Sequence, residues 1–310
     1  MRVRHSIGPR GAVRREVRRR AAACALVLAA AALAGCADGV LDPQGPVGAA
    51  ELPILQNSLG VMLAIIIPVI VAPLGVAWWF RASNTRTRYR PDWAYSGRIE
   101  VVVWAIPVLV IMFLGGVAWV GSHDLDPGKP LPSQRPTLEV QVVSLDWKWL
   151  FIYPTQGVAS VNRLVVPAGA PVRFTLTSSS VMNAFFVPQL GSMIYAMHGM
   201  ATTLHLQADR PGTLRGLSAQ FSGDGFSDMD FEVLVLSPEA FEAWTRAARI
   251  AGPALDASAY GQLARQTRNV TPFTFGAVQP GLFDAVVSRQ LAAGPGPERA
   301  AFAAPAHAED

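Results

Sequence analysis

Two uncharged apolar runs set the first limit on this chain. The first, "LGVMLAIIIPVIVAPLGVAWWF", covers residues 59–80, and no charged residue occurs anywhere in 52–80. The second, "VVVWAIPVLVIMFLGGVAWV", covers 101–120 and is also uncharged. As helices rising ~1.5 Å per residue, each is long enough to cross a bilayer core of roughly 30 Å. A composition of 51% hydrophobic and 15% charged residues fits a membrane protein with a sizeable polar part. The spans are placed at 59–80 and 99–120. Pro68 and Pro73 are tolerated there because neighbouring helices can cover freed carbonyls, and Trp78 and Trp79 sit where indole rings favour the interface. Gly115 and Gly116 open the second helix to close approach by another.

Charge gives the orientation. The connector 81–98 holds Arg81, Arg86, Arg88, Arg90 and Arg98 against Asp92 alone, which predicts a cytoplasmic loop. The segment 36–58 holds Asp38, Asp42 and Glu51 and no base, so both ends of the mature chain are expected outside. Glu100 opens the second span, either as an interfacial carboxylate reaching water or as a point of proton uptake.

Residues 1–35 read as a secretory signal: a basic stretch to Arg20, the apolar run "AAACALVLAAAALA", then "LAGC" ending at Cys36. That box resembles a bacterial lipoprotein cleavage site, which implies cleavage before Cys36 and lipid on its sulfur and new amino group. Cys24 and Cys36 are the only cysteines, so the mature chain would offer no free thiol, disulfide or thiolate. Eight arginines against one glutamate give 1–35 a charge of +7, which turns the overall +4 into −3 for the remainder. The high isoelectric point therefore belongs to the signal, and nucleic-acid binding is excluded.

Beyond a Pro-rich linker (121–136) the pattern becomes β. "TLEVQVVSL" alternates with Leu138, Val140 and Val142 on one face, and "RLVVPAGAPVRFTLTS" reads as two strands joined by "PAGAP". "TTLHLQA", "GTLRGLSAQF" and "DFEVLVLS" add further strands, so 137–237 is expected to form a β-sandwich. Ser237-Pro238-Glu239 is a helix start, opening a helical extension over 238–291, with Phe241 and Trp244 as a packing face. The tail 292–310 is low-complexity and expected to be disordered.

Within the β region, "LSAQFSGDGFSDM" has the rhythm of a metal loop without its ligands. Together with "SLDWKWLFIYP", "VNRLVVPAGAPVRFTLTSSSVMNAFFVPQLGSMIYAMHGM" and "SGDGFSDMDFEV", it resembles the outer domain of subunit II of haem–copper terminal oxidases, specifically the quinol-oxidising, bo-type branch. The resemblance covers nearly all of 36–290. It implies a membrane-anchored all-β fold: two transmembrane helices, a cupredoxin-like sandwich and a short helical extension.

In the cytochrome c-oxidising branch the sandwich holds a dinuclear copper centre, ligated by a His and then Cys-x-Glu-x-Cys-x-x-x-His-x-x-Met. On this chain those positions are Asn183, Ser218, Gln220, Ser222, Phe226 and Met229. Serine hydroxyls are hard and stay protonated, phenylalanine has no lone pair, and one thioether cannot hold two coppers. Asn, Ser and Gln can instead satisfy one another by hydrogen bonds, while Phe226 fills the imidazole's volume. The resemblance thus implies a copper-free, non-redox subunit of a proton-pumping quinol:oxygen oxidoreductase, with haems, copper and ubiquinol held by subunit I. The implied partners are subunits I, III and IV, and the implied site is the bacterial inner membrane with the large domain periplasmic. The alternatives are an electron-carrying subunit of a cytochrome c oxidase and a free-standing lipoprotein binding module. Trp147 and Trp149 match the aromatic stretch through which electrons enter copper-bearing relatives and are read here as packing or subunit-contact residues. Met193, Met197, His198 and Met200 are read as core filler, with a soft copper(I) set as the alternative. In the family, a Glu where Glu100 stands lies near the mouth of a proton path, which keeps both readings of that residue open.

Overall fold

The structure is a computed structural model and describes residues 39–88, 92 and 94–296. The signal, Cys24, Cys36, Arg90 and most of the tail lie outside the described residues.

Helix α1 runs Pro46–Trp79 and α2 runs Gly97–Asp124, 34 and 28 residues long. Both are apolar all round and expose that surface, as spans facing lipid or partner helices do. Each exceeds its expected span. The chain expected to be an outer segment before residue 59 is helical from Pro46 because its first turns dock on the outer domain instead of entering lipid. Pro46 supplies a preset φ at the first helical position. Gly48 N–H donates to the Leu190 carbonyl at 3.0 Å, Val47 and Gly48 are buried, and Ser192 Oγ donates to the Glu51 carboxylate. Gly45 is required at this junction, since a Cβ there would lie 1.9 Å from the Gln207 carbonyl oxygen. At the other end of the pair, α2 continues past residue 120 through Ser122 and His123, both bonded back to the Trp119 carbonyl.

The outer domain is a sandwich of two sheets. One contains β1 (Leu138–Leu145), β2 (Lys148–Tyr153), β3 (Val158–Val161), β5 (Pro171–Ser178) and β8 (Thr202–Gln207). The other contains β4 (Arg163–Pro167), β6 (Asn183–Phe186), β7 (Ile194–Ala196), β9 (Gly212–Ser218) and β10 (Asp230–Leu236). Strand β1 pairs with β5 in parallel, Leu138 opposite Val172, and β10 with β4 in parallel, Glu232 opposite Arg163. The "PAGAP" turn therefore crosses between sheets. Gly169, at φ +70°, makes the corner and donates to the Ala208 carbonyl at 2.7 Å. Trp149, Phe151, Phe174, Phe185 and Phe231 fill the centre, with Phe185 and Phe231 stacked at 5.3 Å.

The segment after residue 237 is less helical than expected. Helix α3 (Pro238–Ala251) is capped by Ser237 Oγ accepting from Ala240 N–H at 3.2 Å, and α4 (Ala257–Leu263) by Asp256 accepting from Ala259 N–H at 2.8 Å. Between and after them come β11 (Ala254–Leu255), β12 (Phe273–Phe275), β13 (Ala277–Val278) and α5 (Leu282–Val287). Strand β12 pairs with β3 and covers an otherwise open sheet edge. The extension buries the outer face of the first sheet in a second core containing Val143, Leu145, Leu150, Ile152, Tyr260 and Phe275. That explains why β1 stops alternating: past Val142 both of its faces are covered. Residues 294 and 296, placed in the tail from sequence, are tied to the sandwich: Gly294 N–H donates to the Ser179 carbonyl at 3.2 Å and Gly296 N–H to Asp146 Oδ2 at 2.7 Å.

Candidate functional site

Three loops at one end of the sandwich bring the metal-loop positions together. Asn183 opens β6, Ser218 closes β9, and a 3-10 turn (Phe226–Asp228) leads into Met229. Asn183, Ser218, Ser222 and Met229 are all buried. Ser218 Oγ donates to Asn183 Oδ1 at 2.8 Å, and Ser222 Oγ to Met229 Sδ at 3.4 Å. Ser218 N–H and Trp149 Nε1–H both donate to the Met229 carbonyl, at 3.1 and 3.4 Å. The loop is thus a closed hydrogen-bonded unit, as a buried polar group requires.

Two positions behave differently from expectation. Gln220 is half-buried and contributes its backbone carbonyl, 3.2 Å from Ser218 Oγ, instead of its amide. Phe226 is only half-buried. Its ring lies 5.7 Å from that of the exposed Phe221, so part of it packs at the loop's surface.

The donor atoms converging here are two hydroxyls, one amide oxygen and one thioether. Both hydroxyl protons are committed, and neither hydroxyl is a soft anionic bridge. This set does not fit a dinuclear copper centre. Among the described residues no group of three or more His, Cys, Asp or Glu is arranged to hold a metal.

Trp147 and Trp149 frame the site as packing residues. Trp149 is fully buried against Phe185 and Phe231. Trp147 sits at φ +66°, a left-handed conformation unusual for a bulky residue, and its Nε1–H donates to the Ser222 carbonyl at 3.1 Å. Gly225 lies so close beneath its ring that a Cβ would meet Trp147 Cδ2 at 2.3 Å. The Arg268 guanidinium, from the extension, covers the ring at 5.2 Å and pairs with Asp224 at 3.5 Å.

Beside this turn lies a feature that the sequence reading missed: a buried Asp146–Lys148 pair. Lys148 Nζ donates to the Asp146 carbonyl at 3.0 Å and the Arg265 carbonyl at 2.7 Å. The Asp146 carboxylate accepts from Ser180 Oγ and Gly296 N–H. Burial pushes the Lys148 ammonium down to about 8, opposed by the Asp146 charge. The only sequence signal was two charges flanking a buried tryptophan in "DWKW".

Met193 and Met200 are exposed, so neither is core filler; Met197 and His198 are half-buried, with His198 Nδ1 3.1 Å from the Ser178 carbonyl. Glu100 stands exposed in the first turn of α2. No atom lies within 4 Å of a Cβ placed on Gly115 or Gly116, so α1 does not pack there, while a Cβ on Gly121 would lie 3.0 Å from Ile54 Cδ1.

Residues 140–235 match the family model for the cytochrome c oxidase subunit II periplasmic domain, and 249–294 match the COX aromatic rich motif. The chain is 48% identical to the ubiquinol oxidase subunit 2 of Acetobacter aceti over 83% of its own length and 84% of the relative's. It is 46% identical to the cytochrome bo(3) ubiquinol oxidase subunit 2 of Pseudomonas aeruginosa over 83% and 78%. With the quinol oxidase subunit 2 of Bacillus cereus it shares 35% identity over 75% and 81%. With two apolar helices, a cupredoxin-like sandwich and an extension matching across that length, the chain belongs to the subunit 2 family of the ubiquinol oxidases, within the cytochrome oxidase subunit II superfamily.

Proposed function

We propose that this chain is the copper-free, non-redox subunit II of a proton-pumping quinol:oxygen oxidoreductase. The observation that carries this reading is the state of the two bridging positions. Ser218 and Ser222 are buried and spend their protons on Asn183 and Met229, leaving no thiolate or imidazole for a metal pair. A quinol is lipid-soluble and can deliver electrons within the membrane, so the outer domain needs no relay. Haems, copper and the quinol site then belong to subunit I, with subunits III and IV completing the complex. The chain would be held in the inner membrane by two spans and by lipid on Cys36, with the sandwich in the periplasm. Glu100 would stand at the cytoplasmic mouth of a proton path.

The test is donor preference in the purified complex. Quinol should sustain oxygen consumption while reduced cytochrome c does not, and metal analysis should assign no copper to this polypeptide. Cytochrome c turnover, or two coppers on this chain, would refute the reading.

A further inference from the structure

The membrane end of the molecule carries two adjoining cavities. The lower tier is an apolar groove of about 760 Å³ between the helices, lined by Ala50 and Ile54 of α1 and by Met112, Phe113, Gly116 and Val120 of α2. Its space exists because Gly116 has no side chain and nothing lies within 4 Å of its Cβ position. The upper tier, about 240 Å³, has a mixed lining in which Asp124, Asp126, Lys129, Ser192 and His205 stand among apolar residues such as Val47 and Leu204. The two tiers adjoin at Asp124 and Leu125, which line both.

Dimensions and charge identify the occupant. From Met112 to Gly121 the groove spans nine residues of helix, ~14 Å at ~1.5 Å each, which is about half a bilayer core of roughly 30 Å. That is the depth of one leaflet; a partner helix would use the full height of the span. The upper tier holds two carboxylates at the negative C-terminal end of α2, which favours a cation. It also holds one ammonium. Lys129 Nζ donates to the His123 carbonyl and keeps two further protons to donate. A head group with both an ammonium and a phosphate satisfies this arrangement; a purely anionic one meets more negative charge than positive.

We propose that this site holds one zwitterionic aminophospholipid from the leaflet on the sandwich side. An acyl chain lies in the groove, the ammonium faces Asp124 and Asp126, and the phosphate faces Lys129. The proposal rests on α1 and α2 being membrane spans. The test uses the whole oxidase complex in nanodiscs made from equal parts phosphatidylethanolamine and phosphatidylglycerol, with lipids retained on this chain counted by native mass spectrometry.

Phosphatidylethanolamine should be retained in preference. Lys129→Glu should weaken its retention about tenfold, the equivalent of one charge-assisted hydrogen bond, and Gly116→Leu should abolish it by filling the groove. Equal retention of the two lipids, or unchanged retention in both variants, overturns the proposal. If Gly116→Leu costs the complex its haem, Lys129→Glu decides alone: lipid lost supports the site, and lipid kept assigns the groove to a partner helix. Haem absent from every preparation, wild type included, would count against the oxidase reading and leave the lipid count standing.

Discussion

The buried Lys148 gives the outer domain an unusual pH dependence. In the folded state its ammonium loses its proton near pH 8; in the unfolded chain this occurs near 10.5. Below pH 8 both states bind the proton and stability is flat. Between 8 and 10.5 the unfolded state binds more protons than the folded one, so stability rises with pH, by up to about 1.4 kcal/mol per pH unit. From pH 7 to pH 9 the gain works out at roughly 1 kcal/mol. The opposite contribution comes from Tyr153 and Tyr260. Burial raises both phenols, so their unfolded forms ionise first and stability falls, but only as pH approaches the ordinary tyrosine range of about 10. The window from 7 to 9 therefore isolates the lysine. A fragment starting at residue 126 carries the whole sandwich and its extension, and its tryptophans are Trp147, Trp149 and Trp244. Urea unfolding of that fragment, followed by tryptophan fluorescence at pH 7, 8 and 9, measures the slope. Lys148→Met removes the titrating group and should flatten the curve, whatever its offset at pH 7. A wild-type curve that stays level or falls, or one that Lys148→Met leaves unchanged, would refute the assignment of a desolvated ammonium at this position.

Gly225→Ala should destabilise the domain by about 1–3 kcal/mol, since its Cβ would press on a Trp147 ring that is pinned at Ser222, and an unchanged urea midpoint would contradict that packing. Restoring donors by Asn183→His, Ser218→Cys, Ser222→Cys and Phe226→His should give a copper-binding fragment with visible thiolate-to-copper absorption, whereas Ser218→Cys alone should not; a folded quadruple variant without copper would show that the loop's frame has changed along with its ligands. Glu100→Ala should slow quinol-driven oxygen uptake while haem content stays normal; unchanged turnover would leave Glu100 as an interfacial carboxylate.

The spans, the inward face of β1 and the Ser237 cap were legible because each rests on contacts within a few residues. The copper-loop positions came from the family resemblance, and the structure joins Asn183 to Ser218 and Ser222 to Met229. What escaped depends on distant partners. That β4 and β5 enter different sheets depends on the pairing with Leu236 and Ala208 across the turn. The burial of both β1 faces depends on an extension more than a hundred residues away. Phe226 is half-buried beside Phe221, a contact that nothing in its own sequence neighbourhood shows. Charged residues are exposed by default, so Asp146 and Lys148 gave no sign that Arg265 and Gly296 would cover them.

These missed contacts bear on how a loop built around metal positions keeps its shape. A bound metal pair would cross-link the strand carrying residue 183 to the loop carrying 218–229. Here the link is made by the Ser218–Asn183 hydrogen bond, by Ala219 N–H donating to the Ala184 carbonyl at 3.0 Å and by the pairing of β6 with β9, each hydrogen bond worth about 1 kcal/mol net and far weaker than coordination. A further constraint comes from the other side. Residues 294–296 bind both Asp146 and Ser179, tying the turn that carries Trp147 to the loop that leads to Asn183. Arg268 and Gly225 both pack against the Trp147 ring. The left-handed backbone at Trp147 costs on the order of 1 kcal/mol and persists only where its surroundings over-determine it. The extension supplies part of that over-determination with hydrogen bonds and packing, so the C-terminal strap and the loop together hold this end of the sandwich.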